Sequence, residues 1–281
     1  MPIVLNYKNK QEKVYWQAHQ SSTIVVPQNT MAAFRYAWDL GGIPEADIRT
    51  TKDGVIICFH DGTLARTTDV DDKHKDIPVS SFTFEELKKF DAGITIGSQY
   101  KGERIPSLEE AFTALKEDES RLMYLDLKEV DLEELGRLID KYEVNQQIIF
   151  THKKEENCRK MKNIVSGIRT MLWIGGSAEQ IKNQFNKVLD EKFEGLDQVQ
   201  IHLNKKPDSE GWPYTIDLEF LKYAFRVTAE AGVDLEVLPF NEFEDKFIHQ
   251  LLNIGIRWFA VDYPEQFIAA VKSWQRIKDV N

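Results

Sequence analysis

The 281-residue sequence predicts one α/β domain closed as a (β/α)8 barrel, the TIM-barrel class, with a small insertion after the second strand region. Three observations carry this prediction. Short apolar runs and segments of helical period alternate along nearly the whole chain, about eight times over, which is the pattern of successive βα units. The residues able to do chemistry, His19, Glu45, Asp47, His60, Asp126 and Lys128, fall at or near the C-terminal ends of the first three strand regions, where barrels build their active sites. No Gly-x-Gly-x-x-Gly follows the first strand, which ranks a doubly wound open sheet second.

Taken in order, Val14–Ala18 reads as a first strand ending on His19, followed by the small polar pair Ser21-Ser22 and by Pro27-Gln28-Asn29. Asn29 or Thr30 can cap the next helix, in which Met31, Phe34, Ala37 and Trp38 share one face before Gly41-Gly42 ends the run. In the strand that follows, Glu45 and Asp47 stand two residues apart, so alternation points both carboxylates the same way and makes a ready cation site. The turn signal Lys52-Asp53-Gly54 leads into a second apolar run, Val55–Phe59, which delivers His60-Asp61 at its end.

Residues 62–105 are rich in Asp, Thr, Gly and Lys, with one short helical piece at Phe84–Phe90. The segment is too long for a plain βα connection. It is expected to wall one side of the site, with Phe82 and Tyr100, and to shape selectivity. Ser107 starts a helix to about Lys116, and the strand 122–128 again sets two charges on one face, Asp126 and Lys128. Steady alternation follows: helices at 131–142, 153–163, 177–190, 216–230, 242–252 and 264–279, and strands at 146–150, 168–173, 195–201, 233–238 and 257–261. No linker or low-complexity tract divides the chain, so residues 1–281 read as a single domain.

Composition bounds the function. With 42% hydrophobic and 29% charged residues the chain can bury a large core. A formal net charge of −10 argues against nucleic acid as the main partner, so an anionic ligand must be drawn by a local site. Cys58 and Cys158 sit in no CxxC or Cys/His cluster and read as buried thiols. The start MPIVLNYKNKQEK lacks the apolar core of a signal peptide, and nowhere do about 18 apolar residues run together. The chain as given is expected to be cytoplasmic with no membrane span, although removal of a signal peptide would leave the same sequence. Oligomeric state is left open.

A single acid on a strand is usually solvated or salt-bridged. Two pairs of charges on strand faces turned into a barrel are different, because buried charges must be paired or metal-bound. The functional reading is preferred for Glu45, Asp47, Asp126 and Lys128, while His74 and His249 read as surface residues and His152 and His202 stay undecided.

AHQSS at 18–22, PQNTMAAFRYA at 27–37, PEADIRTTKDGVIICFHDGTLARTT at 44–68, FEELKKFDAG at 84–93, GERIPSLEEAF at 102–112 and IRWFAVDYPE at 256–265 together resemble the glycerophosphodiester phosphodiesterase family. The resemblance implies a (β/α)8 barrel that uses a divalent cation to cleave a glycerophosphodiester to glycerol 3-phosphate and an alcohol. Carried over by position, it implies Glu45, Asp47 and Asp126 as metal ligands, His19 and His60 as acid and base, and Lys128 as a phosphate contact. Three carboxylates without sulfur or imidazole suit Mg²⁺ or Ca²⁺. One histidine would deprotonate the attacking hydroxyl, the neighbouring glycerol hydroxyl giving a cyclic phosphate, and the other would protonate the leaving alcohol.

The resemblance departs at three positions: Gln20 stands where the family has Arg, Gln28 where it has Glu, and Asp126 where Glu is common. An Arg and a Glu both replaced by neutral amides keep the pocket's net charge, so Gln20 is expected to face the phosphate as a neutral donor and the pair reads as a compensated swap. The Asp-x-Lys at 126–128 is also similar to that of spider-venom-type phospholipase D barrels. The expected partner is a small phosphodiester. Alternatives are a related phosphodiesterase or lyase acting on another headgroup or sugar-phosphate diester, and a non-catalytic barrel that binds a phosphorylated ligand.

Overall fold

A computed structural model of the chain describes residues 2–7, 10–21, 25–207, 211–242 and 244–280; Ser22 of the first motif lies outside the described residues. In chain order the elements are β1 (Ile3–Tyr7), β2 (Lys10–Ala18), α1 (Met31–Asp39), β3 (Ile43–Thr50), β4 (Ile56–Cys58), α2 (Phe84–Leu87), α3 (Leu108–Leu115), β5 (Met123–Glu129), α4 (Leu132–Tyr142), β6 (Ile148–His152), α5 (Glu155–Ile164), β7 (Arg169–Ile174), α6 (Ala178–Asp190), β8 (Gln198–Leu203), α7 (Leu218–Glu230), β9 (Asp234–Pro239), α8 (Asp245–Ile254), β10 (Trp258–Val261) and α9 (Pro264–Val280). The fold class is the predicted (β/α)8 barrel, whose eight strands are β2, β3 and β5 to β10, with helices between them.

The contacts group the chain into two compact units built from interleaved segments, one of residues 18–151 and 160–169, the other of residues 2–17, 152–159 and 170–281. In the first, β6, β5 and β3 pair side by side and β4 adds to β3. β3 and β5 are parallel with Glu45 opposite Tyr124 and Asp47 opposite Asp126, and β5 and β6 are parallel with Asp126 opposite Thr151. These strands are buried on both faces, and Phe34 and Ala37 of α1, Phe112 and Leu115 of α3, and Leu135 and Ile139 of α4 are buried with them. That explains their continuous apolar composition, broken only where charges are placed. Thr30, one of the two candidate caps, accepts the Ala33 N–H and starts α1. α3 opens with a reciprocal Ser107/Glu110 cap.

The run Val55–Phe59 differs from its prediction. It is not a strand of the barrel but the return arm of a hairpin: β4 is antiparallel to β3, with Ile48 opposite Cys58 and Thr50 opposite Ile56. The reason is length. Only Thr51–Gly54 separate the two runs, enough for a tight turn but far short of the dozen or so residues a parallel crossover needs. Thr51 closes the turn by accepting the Val55 N–H, and Gly54 takes φ +83. The insertion after this hairpin has its own core, in which Leu64, Val79, Phe82, Leu87, Ala92 and Ile105 pack on Ile57 and Phe59. Asp91 anchors it by accepting the N–H groups of Gly93, Ile94 and Gly102.

In the second unit the strands pair in the order β1, β2, β10, β9, β8, β7, with β1 antiparallel to β2 and β8, β9 and β10 mutually parallel. β1 was not foreseen. Its core holds Trp16, Phe185, Ile201, Val237 and Phe259. α6 begins at a Ser177/Gln180 cap and α8 ends on Gly255, at φ +112. Cys58 and Cys158 are buried free thiols, as expected. Among the described residues no helix is long and apolar enough to cross a membrane.

Candidate active site

The site lies in the first unit. β3 turns Glu45 and Asp47 to one face, and the register with β5 sets Asp126 beside Asp47. Oxygens of the three carboxylates all lie within 4.8 Å of one another. The residues are only 6%, 1% and 4% exposed. Crowding buried like charges penalises ionisation. Glu45 is accordingly pushed up to about 7, first by burial and then by the Asp47 charge, with Asp126 adding to it and His19 and Lys128 opposing.

One ammonium answers these three acids. Lys128 Nζ lies 3.0 Å from Asp47 Oδ1 and 2.5 Å from Asp126 Oδ2. Burial works to lower its pKa, but the Asp47 and Asp126 charges outweigh it and hold it above the usual lysine range. Three carboxylates crowd one buried point, and the donors are all hard oxygens. This set fits an oxygen-seeking divalent cation, held by Glu45, Asp47 and Asp126.

Neighbouring groups fix the triad in place. Asn29 grips Asp47 twice, its Nδ2 donating to Oδ2 at 2.7 Å and its Oδ1 accepting the Asp47 N–H at 2.8 Å. It does so from the left-handed region, φ +54, which Asn tolerates better than most residues. Gln20 is also left-handed, φ +46, and its backbone N–H donates to Glu45 Oε2 at 2.7 Å. The contact recorded for Gln20 is therefore through its main chain. It belongs to the short 3-10 turn His19–Ser21, which brings His19 near enough for its charge to act on Glu45.

His60 leaves the end of the hairpin one residue after Phe59, whose N–H donates to the Asp47 carbonyl at 2.7 Å. Arg49 holds the His60 carbonyl with two donors, at 3.1 and 3.0 Å, and pairs with Glu129. His60 Nδ1 lies 2.7 Å from Asp61 Oδ1. Asp61 is held down at about 2, chiefly by hydrogen bonds from Arg66 and also by His60, so it is an ionised acceptor. Nδ1 must then carry the proton, which leaves Nε2 as the nitrogen able to exchange one with a ligand.

Arg66 donates to both Asp61 oxygens, at 2.6 and 2.8 Å, and reaches Gln28 Oε1 at 3.2 Å. Sequence reasoning singled out Gln28 but missed Arg66, Asn29, Asp61 and Arg49. Asn29 carries no local signal, because Asp47 lies 18 residues away in sequence; Arg66 has a nearby partner, Asp61, but its bond to Gln28 spans 38 residues. Of the undecided histidines, His152 Nδ1 meets the Lys154 N–H and the Asn157 amide at the start of α5, and His202 stacks on Trp173.

The glycerophosphoryl diester phosphodiesterase family matches residues 19–266, and the chain belongs to that family. It is 38% identical over 155 residues to a glycerophosphodiester phosphodiesterase of Caldanaerobacter subterraneus subsp. tengcongensis, an alignment covering 51% of this chain and 61% of that one. It is 32% identical over 164 residues to a putative glycerophosphodiester phosphodiesterase of Bacillus subtilis, covering 56% of this chain and 64% of the relative. The chain thus spans a little over three fifths of the length of these two relatives. A phosphodiesterase structure from Oleispira antarctica, in complex with the product sn-glycerol-3-phosphate, superposes with a TM-score of 0.70 at 22% identity, covering 92% of this chain and 96% of that one.

Proposed function

We propose that the chain is a cation-dependent phosphoric diester hydrolase that cleaves a glycerophosphodiester to glycerol 3-phosphate and an alcohol, with residues 1–281 acting as one catalytic barrel domain. The observation that carries this reading is the buried carboxylate triad, two of its members touched by a single lysine, beside a histidine oriented by an aspartate. Family membership supports the substrate class, as does the glycerol 3-phosphate held by the Oleispira neighbour.

Mg²⁺ or Ca²⁺ on Glu45, Asp47 and Asp126 would supply Lewis acidity toward a phosphoryl oxygen. The residues do the rest. Lys128 moves from its two carboxylates toward the phosphate, a short shift for a long flexible stem. His60, its Nδ1 proton fixed on Asp61, presents Nε2 for proton transfer, and His19 serves the opposite oxygen. One ring takes the proton of the attacking hydroxyl while the other gives a proton to the departing alcohol oxygen; the roles reverse when water completes the hydrolysis. Gln20 bonds Glu45 through its main-chain N–H and offers a neutral amide near the phosphate in place of a guanidinium.

The test is turnover of a panel of diesters, glycerophosphocholine, glycerophosphoethanolamine and glycerophosphoglycerol, with Mg²⁺, Ca²⁺ or Mn²⁺ added to chelator-treated protein. Release of glycerol 3-phosphate with added cation only is the expected result. Absence of turnover for every pair would instead favour a barrel that binds phosphorylated ligands without cleaving them.

A further inference from the structure

Among the described residues six threonines are buried: Thr30, Thr51, Thr68, Thr151, Thr170 and Thr228. Five place the hydroxyl on a carbonyl oxygen of the protein, that of Pro27, Val55, Leu64, Gly195 and Ala224 respectively. Thr151 is the exception. It is 0% exposed, and its Oγ1 has no hydrogen-bond partner among the described residues. A hydroxyl left unmatched in a dry interior is costly, so such a group calls for a partner that arrives from outside the chain.

The position of Thr151 says what that partner is. Thr151 stands on β6 directly opposite Asp126 on β5, and Asp126 stands opposite Asp47 on β3. Residues in register across neighbouring strands project to the same face, with Cβ atoms about 5 Å apart. The hydroxyl therefore shares the face of the carboxylate triad and flanks it on the β6 side. Divalent Mg²⁺ or Ca²⁺ takes at least six oxygens, and three carboxylates leave positions that water must fill.

We propose that Thr151 is a positioning residue of the cation site, its hydroxyl donating a hydrogen bond to a water ligand of the cation held by Glu45, Asp47 and Asp126. This rests on the cation-site reading given above. Groups that orient a metal's ligands from the next layer out typically alter metal affinity by 10- to 100-fold when removed.

The experiment compares wild type, Thr151→Val and Thr151→Ser, each freed of metal and titrated calorimetrically with Mg²⁺ and with Mn²⁺, alongside thermal melts of the metal-free proteins. Valine keeps the shape and deletes the hydroxyl; serine keeps the hydroxyl. The expected result is roughly tenfold weaker cation binding in Thr151→Val, recovery to within about threefold in Thr151→Ser, and a metal-free Tm for Thr151→Val at or above that of wild type, because an unmatched polar group has been removed. Wild-type affinity in Thr151→Val overturns the inference and leaves the cation site standing. So does a lowered metal-free Tm in Thr151→Val that Thr151→Ser restores, since the hydroxyl would then serve the fold. No binding to wild type at all overturns the cation site itself, and this inference with it.

Discussion

Each unit of the molecule buries acid on its strands, and each deals with it differently. In the second unit Glu236, on β9 and 0% exposed, accepts hydrogen bonds from the amides of Gln198 and Gln200, the latter at 2.8 Å, and Gln200 also donates to Gln17 at 2.9 Å. A single carboxylate among neutral amides can be satisfied by hydrogen bonds alone. In the first unit Glu45, Asp47 and Asp126 converge on one point, with Lys128 paired to Asp47 and Asp126 and the His19 charge acting on Glu45. Three carboxylates crowded in a dry place resist ionising together, and this shows in Glu45, pushed up to about 7 by burial first and then by the Asp47 and Asp126 charges. The difference teaches that burial of acid does not by itself mark a site. What marks one is acid in excess of the cations and donors that the protein supplies.

The largest expected effect breaks the comparison at its strong end. Asp47→Ala should lower cation-dependent diester turnover on the order of a thousandfold, since a metal's charge stabilisation amounts to several kcal/mol and each 1.36 kcal/mol is tenfold in rate. Glu236→Gln should change kcat/KM by less than about threefold if the second unit's acid is structural. Comparable losses in both would erase the distinction.

Next in size is His60→Ala, expected to cost about 100- to 10,000-fold in kcat, the range for a positioned acid or base. Asp61→Asn should cost less, because it frees the ring to take the wrong tautomer while leaving it in place. Rate against pH should be bell-shaped, with limbs belonging to the histidine pair. A flat profile from pH 5 to 9 would remove the two-histidine account.

How much of this was legible beforehand follows from what fixes each feature. The two-residue spacing of Glu45 and Asp47, and of Asp126 and Lys128, is a property of any strand, so shared faces could be read from sequence. That Asp47 lies opposite Asp126 depends on the register of β3 against β5, which no local pattern encodes. Val55–Phe59 looked like a barrel strand because apolar runs carry no mark of direction. The short turn before it was the usable clue, and it was read for the turn and not for the antiparallel pairing it imposes. Asn29 was weighed as a helix cap, the commonest use of such a residue, yet Thr30 caps α1 and Asn29 holds Asp47. β1, Ile3–Tyr7, lies in the stretch whose apolar residues bear first on whether a signal peptide is present, and nothing local marks it as a strand paired to β2.

Smaller effects concern stability in metal-free protein, where the two acids should respond with opposite sign. Glu45 has its folded pKa raised from 4.5 to about 7, so the folded state binds more protons than the unfolded state between those values. Stability should therefore fall as pH rises from about 4.5 through 7, by something on the order of 1–3 kcal/mol. Glu45→Gln should flatten that slope and be the more stable protein at pH 8, the gain vanishing below about pH 4.5. Glu236→Gln should instead lose roughly 1–3 kcal/mol, since it sets an amide against amide donors. Chemical denaturation at pH 4.5, 6 and 8 measures both. The smallest effect is expected for Gln28→Ala: Arg66 keeps both bonds to Asp61, so kcat/KM should move by less than about threefold.

The central claim is that the first unit holds acid in excess because a divalent cation belongs there. Calorimetric titration of chelator-treated protein with Mg²⁺, Ca²⁺ and Mn²⁺ tests it most directly, in wild type, Asp126→Ala and Glu236→Gln. The account predicts one cation per chain in wild type and in Glu236→Gln, tighter at pH 8 than at pH 6 because Glu45 must lose its proton to bind, and no saturable binding in Asp126→Ala. Saturable binding that survives in Asp126→Ala, or that disappears in Glu236→Gln, would contradict it.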